Sequence, residues 1–455
     1  MPMLTKALPL LLACLACAGC VLAAPMDQDD DAPVIQGRVA WADATGAGGV
    51  GGSDAAATPG AGSTTDATAK VWPPMPAAKS VFDPEGLHQV AIKVEPASWQ
   101  TYLSYVGKPS KPATWFAAEL SWDGKPPVAV AIRGFGKGSQ ISNPGKANIR
   151  IKWDEFDPQG KGPDGLHSLR LKAAGQDPSW QREPLVYDLI REVDGHAPRW
   201  SWARVAVNGV DYGLYQVLEH PDKRMYKHLF GHNDGNEYEP QKACHGLQCP
   251  KEGCAALTKI YSGDPGDRGA IVVLASALTR TDAELLEVLD KTVDLDSLLA
   301  TYAVDSVVSN IDGLAAAGHN FRFYQDEVSG KLHLIASGAD LTFGKFGAWY
   351  ELLTPWGQPN SWCADRVDLM LQRLWQMPAT KALLTKKFRQ LQCGAFAQGK
   401  LLARIDALAE MLYLEATSDP KVLHTPAQHT KAVADLRDYV EKRQATLAAQ
   451  FGPCP

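Results

Sequence analysis

Apolar and polar residues alternate from His88 to Val94, which predicts a strand with one buried face. Trp115–Trp122 and Val128–Arg133 alternate on either side of Asp123-Gly124 and predict a hairpin. Asn148–Trp153 sets Ile149, Ile151 and Trp153 on one face, and Leu166–Lys172 holds a short strand with Leu169 and Leu171 together. The period then changes. Leu185, Leu189 and Val193 recur every four residues, so Arg182–Val193 is predicted helical. Ala203–Val207 and Leu214–Glu219 flank Asn208-Gly209, a hairpin signal with a loop longer than two residues on this reading. Leu295, Leu298, Leu299, Tyr302, Ala303 and Val307 form one helical stripe, capped by Asp294 or Asp296 and ending before Ile311-Asp312-Gly313. Phe321–Gln325 and Leu332–Ile335 read as strands joined through Ser329-Gly330. Thr425-Pro426 opens a long helix with Val433, Leu436, Val440 and Leu447 inward. Strands in front and helices behind predict an α+β architecture with a cleft between two parts.

The ends of the chain add an address. Lys6 followed by apolar Ala7–Ala18 is shorter than the ~20 residues a bilayer span needs and has the form of a signal peptide. Ala18-Gly19-Cys20 resembles a lipoprotein processing site with Cys20 as the lipidated residue; Leu11–Cys14 and Val21–Ala23 are the alternative cuts. Export to the cell envelope or the exterior is therefore expected. Residues 1–24 read as leader and 25–77 as a Gly/Ala/Ser/Thr-rich linker that buries too little apolar surface to fold. The domain spans 78–455, with a strand-rich part (78–240), a cysteine-containing connector (241–290) and a helical part (291–455). Beyond the leader stand Cys244, Cys249, Cys254, Cys363, Cys393 and Cys454, an even number suited to disulfides in an oxidising compartment. The Cys244…Cys249…Cys254 spacing fits a zinc knuckle poorly. A formal charge of −6 with no basic stripe argues against a nucleic-acid partner.

Three motifs carry candidate chemistry. Arg133-Gly134-Phe135-Gly136-Lys137-Gly138-Ser139, with Lys146 beyond it, offers backbone N–H groups and cations to phosphate; a plain inter-strand loop reads the same. Asn310-Ile311-Asp312-Gly313…His319-Asn320 sets an aspartate ahead of an amide, as a proton acceptor and metal-holding amide are set in phosphoryl transfer. Gly338-Ala339-Asp340-Leu341-Thr342-Phe343-Gly344 places a carboxylate at a strand-to-loop junction, where it could hold the metal on nucleotide phosphates. Taken singly, the last two are equally compatible with ordinary capping and turn chemistry. Arg182-Glu183 reads as a tie between a helix and the sheet, as a local ion pair of modest worth.

Together and in this order, these stretches resemble the CotH family of atypical protein kinases. The likeness also draws on Ile149–Trp153, Trp180–Glu183, Val207-Asn208-Gly209…Gly213-Leu214-Tyr215…Glu219 and His319-Asn320-Phe321…Tyr324. The resemblance implies a two-lobed kinase-like fold with ATP and Mg²⁺ or Mn²⁺ between the lobes. It implies Lys146, Glu219 and Arg133 at the nucleotide, with Glu219 as partner of Lys146. Asp312 would be the catalytic aspartate, and Asn320 and Asp340 the metal ligands. The acceptor would be a Ser or Thr hydroxyl of an envelope or surface protein. The chain departs from the family's Trp-Asp-x-Asp pattern, since Ser337-Gly338-Ala339-Asp340 stands there and Gly338 replaces the first aspartate. Ala147 follows Lys146 where the family pairs lysines, and Ala315–Ala317 widens the gap between Asp312 and Asn320. The alternative expectation is a catalytically impaired pseudokinase that serves as a binding or structural module.

Overall fold

The computed structural model describes residues 74–105, 114–136, 145–240, 247, 257–259, 269–345, 369–397, 399–421 and 424–455. Its first half is a barrel. β1 (Leu87–Val94), β2 (Phe116–Trp122), β3 (Val128–Gly134), β4 (Ile149–Lys152), β5 (Ser168–Lys172), β6 (Trp200–Val207) and β7 (Val210–Glu219) close in the order β1-β2-β3-β4-β5-β7-β6. Every neighbouring pair is antiparallel except β1 with β6, whose parallel register (Val90 on Val205) completes the ring. The alternation read from the sequence becomes the barrel lining: Val90, Ile92, Ile132, Ile149, Ile151, Leu169, Leu171, Val205 and Val217 form one buried cluster. Closure leaves no free sheet edge, so all the barrel's strands are satisfied within it. α1 (Pro96–Tyr105) packs Trp99 and Tyr102 onto this core.

The β6–β7 hairpin is tighter than the sequence suggested. Asn208 and Gly209 alone form the loop, both at positive φ (51° and 79°), as the twist of a two-residue hairpin demands. The strands extend further because a bulge between Val205 and Ala206 absorbs the irregularity, with Gly213 at φ 74° on the facing strand.

α2 (Arg182–Glu192) lies between β5 and β6, and Leu185, Val186, Leu189 and Ile190 join the second, larger core. That core also takes Trp200 and Leu218 from the barrel's outer face. After the barrel, α3 (Lys223–Phe230) starts at Asp222, whose carboxylate accepts from Arg224 N and Met225 N. β8 (Asn236–Pro240) and β9 (Leu257–Lys259) form a four-stranded sheet with β10 (Phe321–Gln325) and β11 (Leu332–Ala336), in the order β11-β10-β8-β9. The strand at the end of the strand-rich part thus pairs with the later half of the chain. Between them run α4 (Gly269–Ala277), α5 (Asp282–Thr292), α6 (Leu295–Val308) and the single turn α7 (Leu314–Ala317). α8 (Leu369–Gln376), α9 (Pro378–Cys393), α10 (Lys400–Thr417) and α11 (Pro426–Phe451) complete the helical layer. α11 opens with a reciprocal Thr425–Gln428 capping box ahead of Pro426.

The fold is mixed α and β, as expected, with a closed barrel where the sequence suggested only strands. Among the described residues, no helix is long and apolar enough to cross a membrane. Cys393 and Cys454 are bonded, closing a separation of 61 residues between the end of α9 and the C-terminus. Cys20, Cys244, Cys249, Cys254 and Cys363 lie outside the described residues. Replacing Cys393 and Cys454 by serine should cost about 2–4 kcal/mol in denaturant unfolding, because the cross-link restrains a long loop of the unfolded chain. An unchanged midpoint would show that the bond adds nothing to stability.

Candidate active site

α6 ends where Ser309 turns left-handed (φ 50°), and its hydroxyl meets Tyr439 Oη at 2.7 Å and accepts from Arg443 Nη2 at 3.0 Å. The following loop is folded by its own amides. Asn310 N donates to Asp305 O (2.9 Å), Asn310 Nδ2 to Asp305 Oδ1 (2.9 Å), and Asp312 N to Asn310 Oδ1 (3.3 Å). α7 then returns the chain so that Asn320, at φ 46°, donates from Nδ2 to Asp312 Oδ2 at 2.6 Å. His319 Nδ1 lies 3.2 Å from the other Asp312 oxygen. The alanine insertion between Asp312 and Asn320 is taken up by that single helical turn, and the two residues still meet.

The segment after β11 packs against the same loop. Ile311 N donates to Leu341 O (3.4 Å) and Phe343 N to Val308 O (2.6 Å), so the stretches bearing Asp312 and Asp340 are bonded backbone to backbone. Gly338 stands at φ 56°, and a β-carbon there would fall 2.9–3.1 Å from the Asn320 amide group. The turn has closed over the position where the family pattern carries its aspartate.

Asp340 reaches Lys172, which sequence reading passed over. Lys172 projects from β5 and pairs with Glu183 on α2 and with Asp340 (3.2 Å), all three side chains largely shielded. Burial alone would lower the Lys172 pKa, yet Asp340 and Glu183 together outweigh it and raise it above the ordinary lysine value. Glu183 Oε1 also accepts from Tyr187 Oη (2.6 Å) and from Ala339 N (3.4 Å), while Tyr187 Oη accepts from Gly338 N (3.1 Å). Arg182 bonds Thr342 O through Nε (3.2 Å) and pairs with Asp177. Glu183 does tie the helix to the sheet, through Lys172 on β5, whereas Arg182 and Glu183 take separate partners. Consecutive helix residues point apart, and each side chain serves the Asp340 turn through a different partner. The strand–helix spacing of Lys172 and Glu183 was the available signal.

Lys146 and Glu219 do not meet. Lys146 is buried at the barrel mouth, where it pairs with Asp419 and donates to Leu214 O (2.6 Å) between the rings of Trp180 and Tyr215. Burial lowers its pKa to about 8, against the opposing pull of Asp419. Glu219 is bound by Arg199 instead, Nη2 to Oε1 at 2.5 Å and Nε to Oε2 at 3.0 Å. The reason is topological: β4 and the end of β7 are separated by β5 in the barrel. Arg133 lies across β3–β4 from Arg150, its guanidinium 4.6 Å from the Trp115 ring centre. Residues 137–144 of the glycine-rich loop are outside the described residues.

The family description "CotH kinase protein" matches residues 131–447, a span that starts within β3 and ends within α11. The chain belongs to the CotH kinase family. No curated protein matches it in sequence. Among solved structures, the crystal structure of CtkA, a Helicobacter pylori proinflammatory kinase, aligns over 67% of this chain and 92% of its own. That alignment has 7% identity and a TM-score of 0.28, too low to carry any argument. Family membership supports a kinase-like function in general, with nucleotide and metal use.

Asp305 gives this site a measurable signature. It lies fully buried beneath the Asp312 loop, and burial raises its pKa to about 7 from 3.8 despite the Asn310 bond. A carboxyl raised on folding stabilises the protein below the unfolded pKa, and that contribution is lost as pH rises through the folded one. Unfolding measured at pH 4 and pH 8 should therefore shift in favour of Asp305→Asn, relative to the parent, by roughly 2–4 kcal/mol. A pH-independent difference would show that Asp305 titrates normally.

Proposed function

We propose that this protein is an exported CotH-like kinase that transfers the γ-phosphoryl group of ATP to a Ser or Thr hydroxyl of an envelope or surface protein. The observation that carries the reading is the pairing of two clusters on bonded loops. Asp312–Asn320 is one, and Lys172–Glu183–Asp340 is the other. A lysine on a strand paired with a glutamate on the next helix is the arrangement protein kinases use to hold the nucleotide phosphates. In this reading the barrel and the helical layer act as the two lobes.

Asp312 accepts the proton of the attacking hydroxyl, with His319 and Asn320 fixing its orientation. Lys172 meets the phosphates, and Arg133 adds positive charge. Glu219 and Lys146 support the barrel around them. Mg²⁺ commonly binds one or two carboxylates plus substrate phosphates. Asp312, the Asn320 amide oxygen and Asp340 supply that kind of oxygen set, so the residues present fit Mg²⁺ or Mn²⁺. The ion would neutralise charge on the phosphates. The leader pattern, with Cys20 as lipid anchor or with cleavage to a soluble form, supports placement outside the cytoplasm. The Cys393–Cys454 bond agrees with an oxidising compartment.

Gly338 favours a second reading, a pseudokinase retained for binding. One carboxylate fewer leaves more phosphate charge uncompensated, and metal clamps of this sort contribute several kcal/mol to the transition state.

The test is a thermal shift of the purified protein with ATP, with and without Mn²⁺ or Mg²⁺, followed by transfer of labelled γ-phosphate. A metal-dependent rise in Tm is expected, with transfer reduced about 100-fold or more in Asp312→Ala. Lys172→Ala should weaken both. Binding without transfer would support the pseudokinase; no shift at millimolar ATP with metal would sink both nucleotide readings.

A further inference from the structure

Away from the candidate active site, two clusters among the described residues bring three metal-ligating side chains together: His232–Asp326–Glu327 and His196–Asp294–His333. In the first, the carboxylates are already committed. Asp326 accepts from Val328 N, Ser329 N and Ser329 Oγ, and Glu327 from Asp234 N and Tyr324 Oη. That cluster is a turn built from side-chain caps.

The second is different in kind. Asp294 stands at the N-cap of α6, where an aspartate normally accepts from a first-turn N–H, and its side chain makes no such bond. The carboxylate is turned instead to two imidazoles, with Oδ2 3.0 Å from His333 Nδ1 and 3.7 Å from His196 Nε2. These nitrogens are shielded from water and face the carboxylate as ion-pair contacts, while His333 Nε2 has no hydrogen-bond partner. One ligand atom from each residue lies within 4.8 Å of the others. A buried imidazole nitrogen without a partner is uncommon and asks for an explanation.

The surroundings suit an ion. The two imidazoles sit 5.3 Å apart, centre to centre, and Phe230 packs on both at 5.2 and 4.6 Å, an apolar wall on one side. Side-chain exposures of 20%, 29% and 13% for His196, Asp294 and His333 place the cluster just beneath the surface. The backbones carrying the ligands are already joined. Ala336 N donates to His196 O (2.9 Å) and Asp294 N to Leu332 O (2.9 Å), so β11 holds all three at fixed spacing. Two imidazoles and one carboxylate suit Zn²⁺ and its first-row neighbours; Mg²⁺ and Ca²⁺ prefer all-oxygen sets.

We propose that His196, Asp294 and His333 form a binding site for a Zn²⁺-class transition-metal ion, which braces the α2–β6 loop and the start of α6 against β11. The site is separate from the phosphoryl-transfer residues and does not depend on the kinase reading. Its ion closes a triangle between three segments that are distant in sequence. From His333, β11 runs to Ala336 and the chain continues through Ser337 to the Gly338–Asp340 turn, so the brace steadies the strand that delivers Asp340.

The experiment uses the full chain, stripped of metal with EDTA and free of nucleotide. Zn²⁺ is titrated in competition with a chromophoric chelator, and Co²⁺ in parallel for its visible spectrum. One equivalent should bind, with nitrogen and oxygen ligation in the Co²⁺ spectrum and a Zn²⁺-dependent rise in Tm. Asp294→Asn, which preserves shape, should weaken binding by about 100-fold or more, since even outer-shell changes at metal sites cost 10–100-fold. His196→Ala with His333→Ala should abolish it, and His232→Ala should leave it unchanged. Circular dichroism and the metal-free Tm establish that each variant is folded. A wild-type chain that binds no Zn²⁺, equal affinity in Asp294→Asn, or a thiolate-dominated Co²⁺ spectrum would each overturn the proposal.

Discussion

The ammonium of Lys172 is held where water scarcely reaches, and such a charge persists only with counter-charge close by. Its two carboxylates come from different parts of the chain: Glu183 from α2 and Asp340 from the turn after β11. One buried cation therefore dictates where a barrel strand, the helix after it and a segment from the other sheet must lie. The remaining contacts of the α2 face read as support for that demand. Tyr187 takes the second role of orienting Glu183 and the Gly338 amide, and Arg182 clamps the carbonyl of Thr342. Removing both carboxylates would leave the ammonium without compensation, so the arrangement is held by penalty as much as by attraction.

This geometry bears on Gly338. Because a β-carbon at Gly338 would crowd the Asn320 amide, an aspartate could return only if the Asn320 side chain moved. The loss of the family's carboxylate is thus accompanied by a local backbone suited to glycine. What remains of acidic character there is divided between Asp312, steadied by Asn320 and His319, and Asp340, steadied by Lys172.

Local structure was largely legible in the sequence. Period-two alternation located β1 to β5, the four-residue recurrence located α2, and Thr425-Pro426 marked the start of α11. The Asp-Gly…His-Asn block was legible too, since Asp312 and Asn320 do meet. What escaped was everything set by long-range closure. Nothing in β1 announces a parallel partner in β6. Lys146 and Glu219 looked like partners because kinase logic pairs a lysine with a glutamate, but strand order separates them and supplies Asp419 and Arg199 instead. Asp294 read as a cap because its position is a cap; only the fold reveals two histidines drawing its carboxylate away. Ionic partners are a property of topology, whereas alternation is a property of neighbours.

The Lys146–Asp419 contact spans 273 residues. Asp419 also accepts from Leu214 N (2.8 Å) and occupies the space that a side chain at Gly213 would need. A newly made chain emerges barrel first, so for most of its synthesis the barrel mouth contains a lysine without its Asp419 partner. The lining of the barrel can gather early, but its last charge is compensated only when the segment between α10 and α11 arrives. Completion of the first-made half is thereby deferred to the last-made tenth of the chain, and a chain cut short before Asp419 carries its own defect inward.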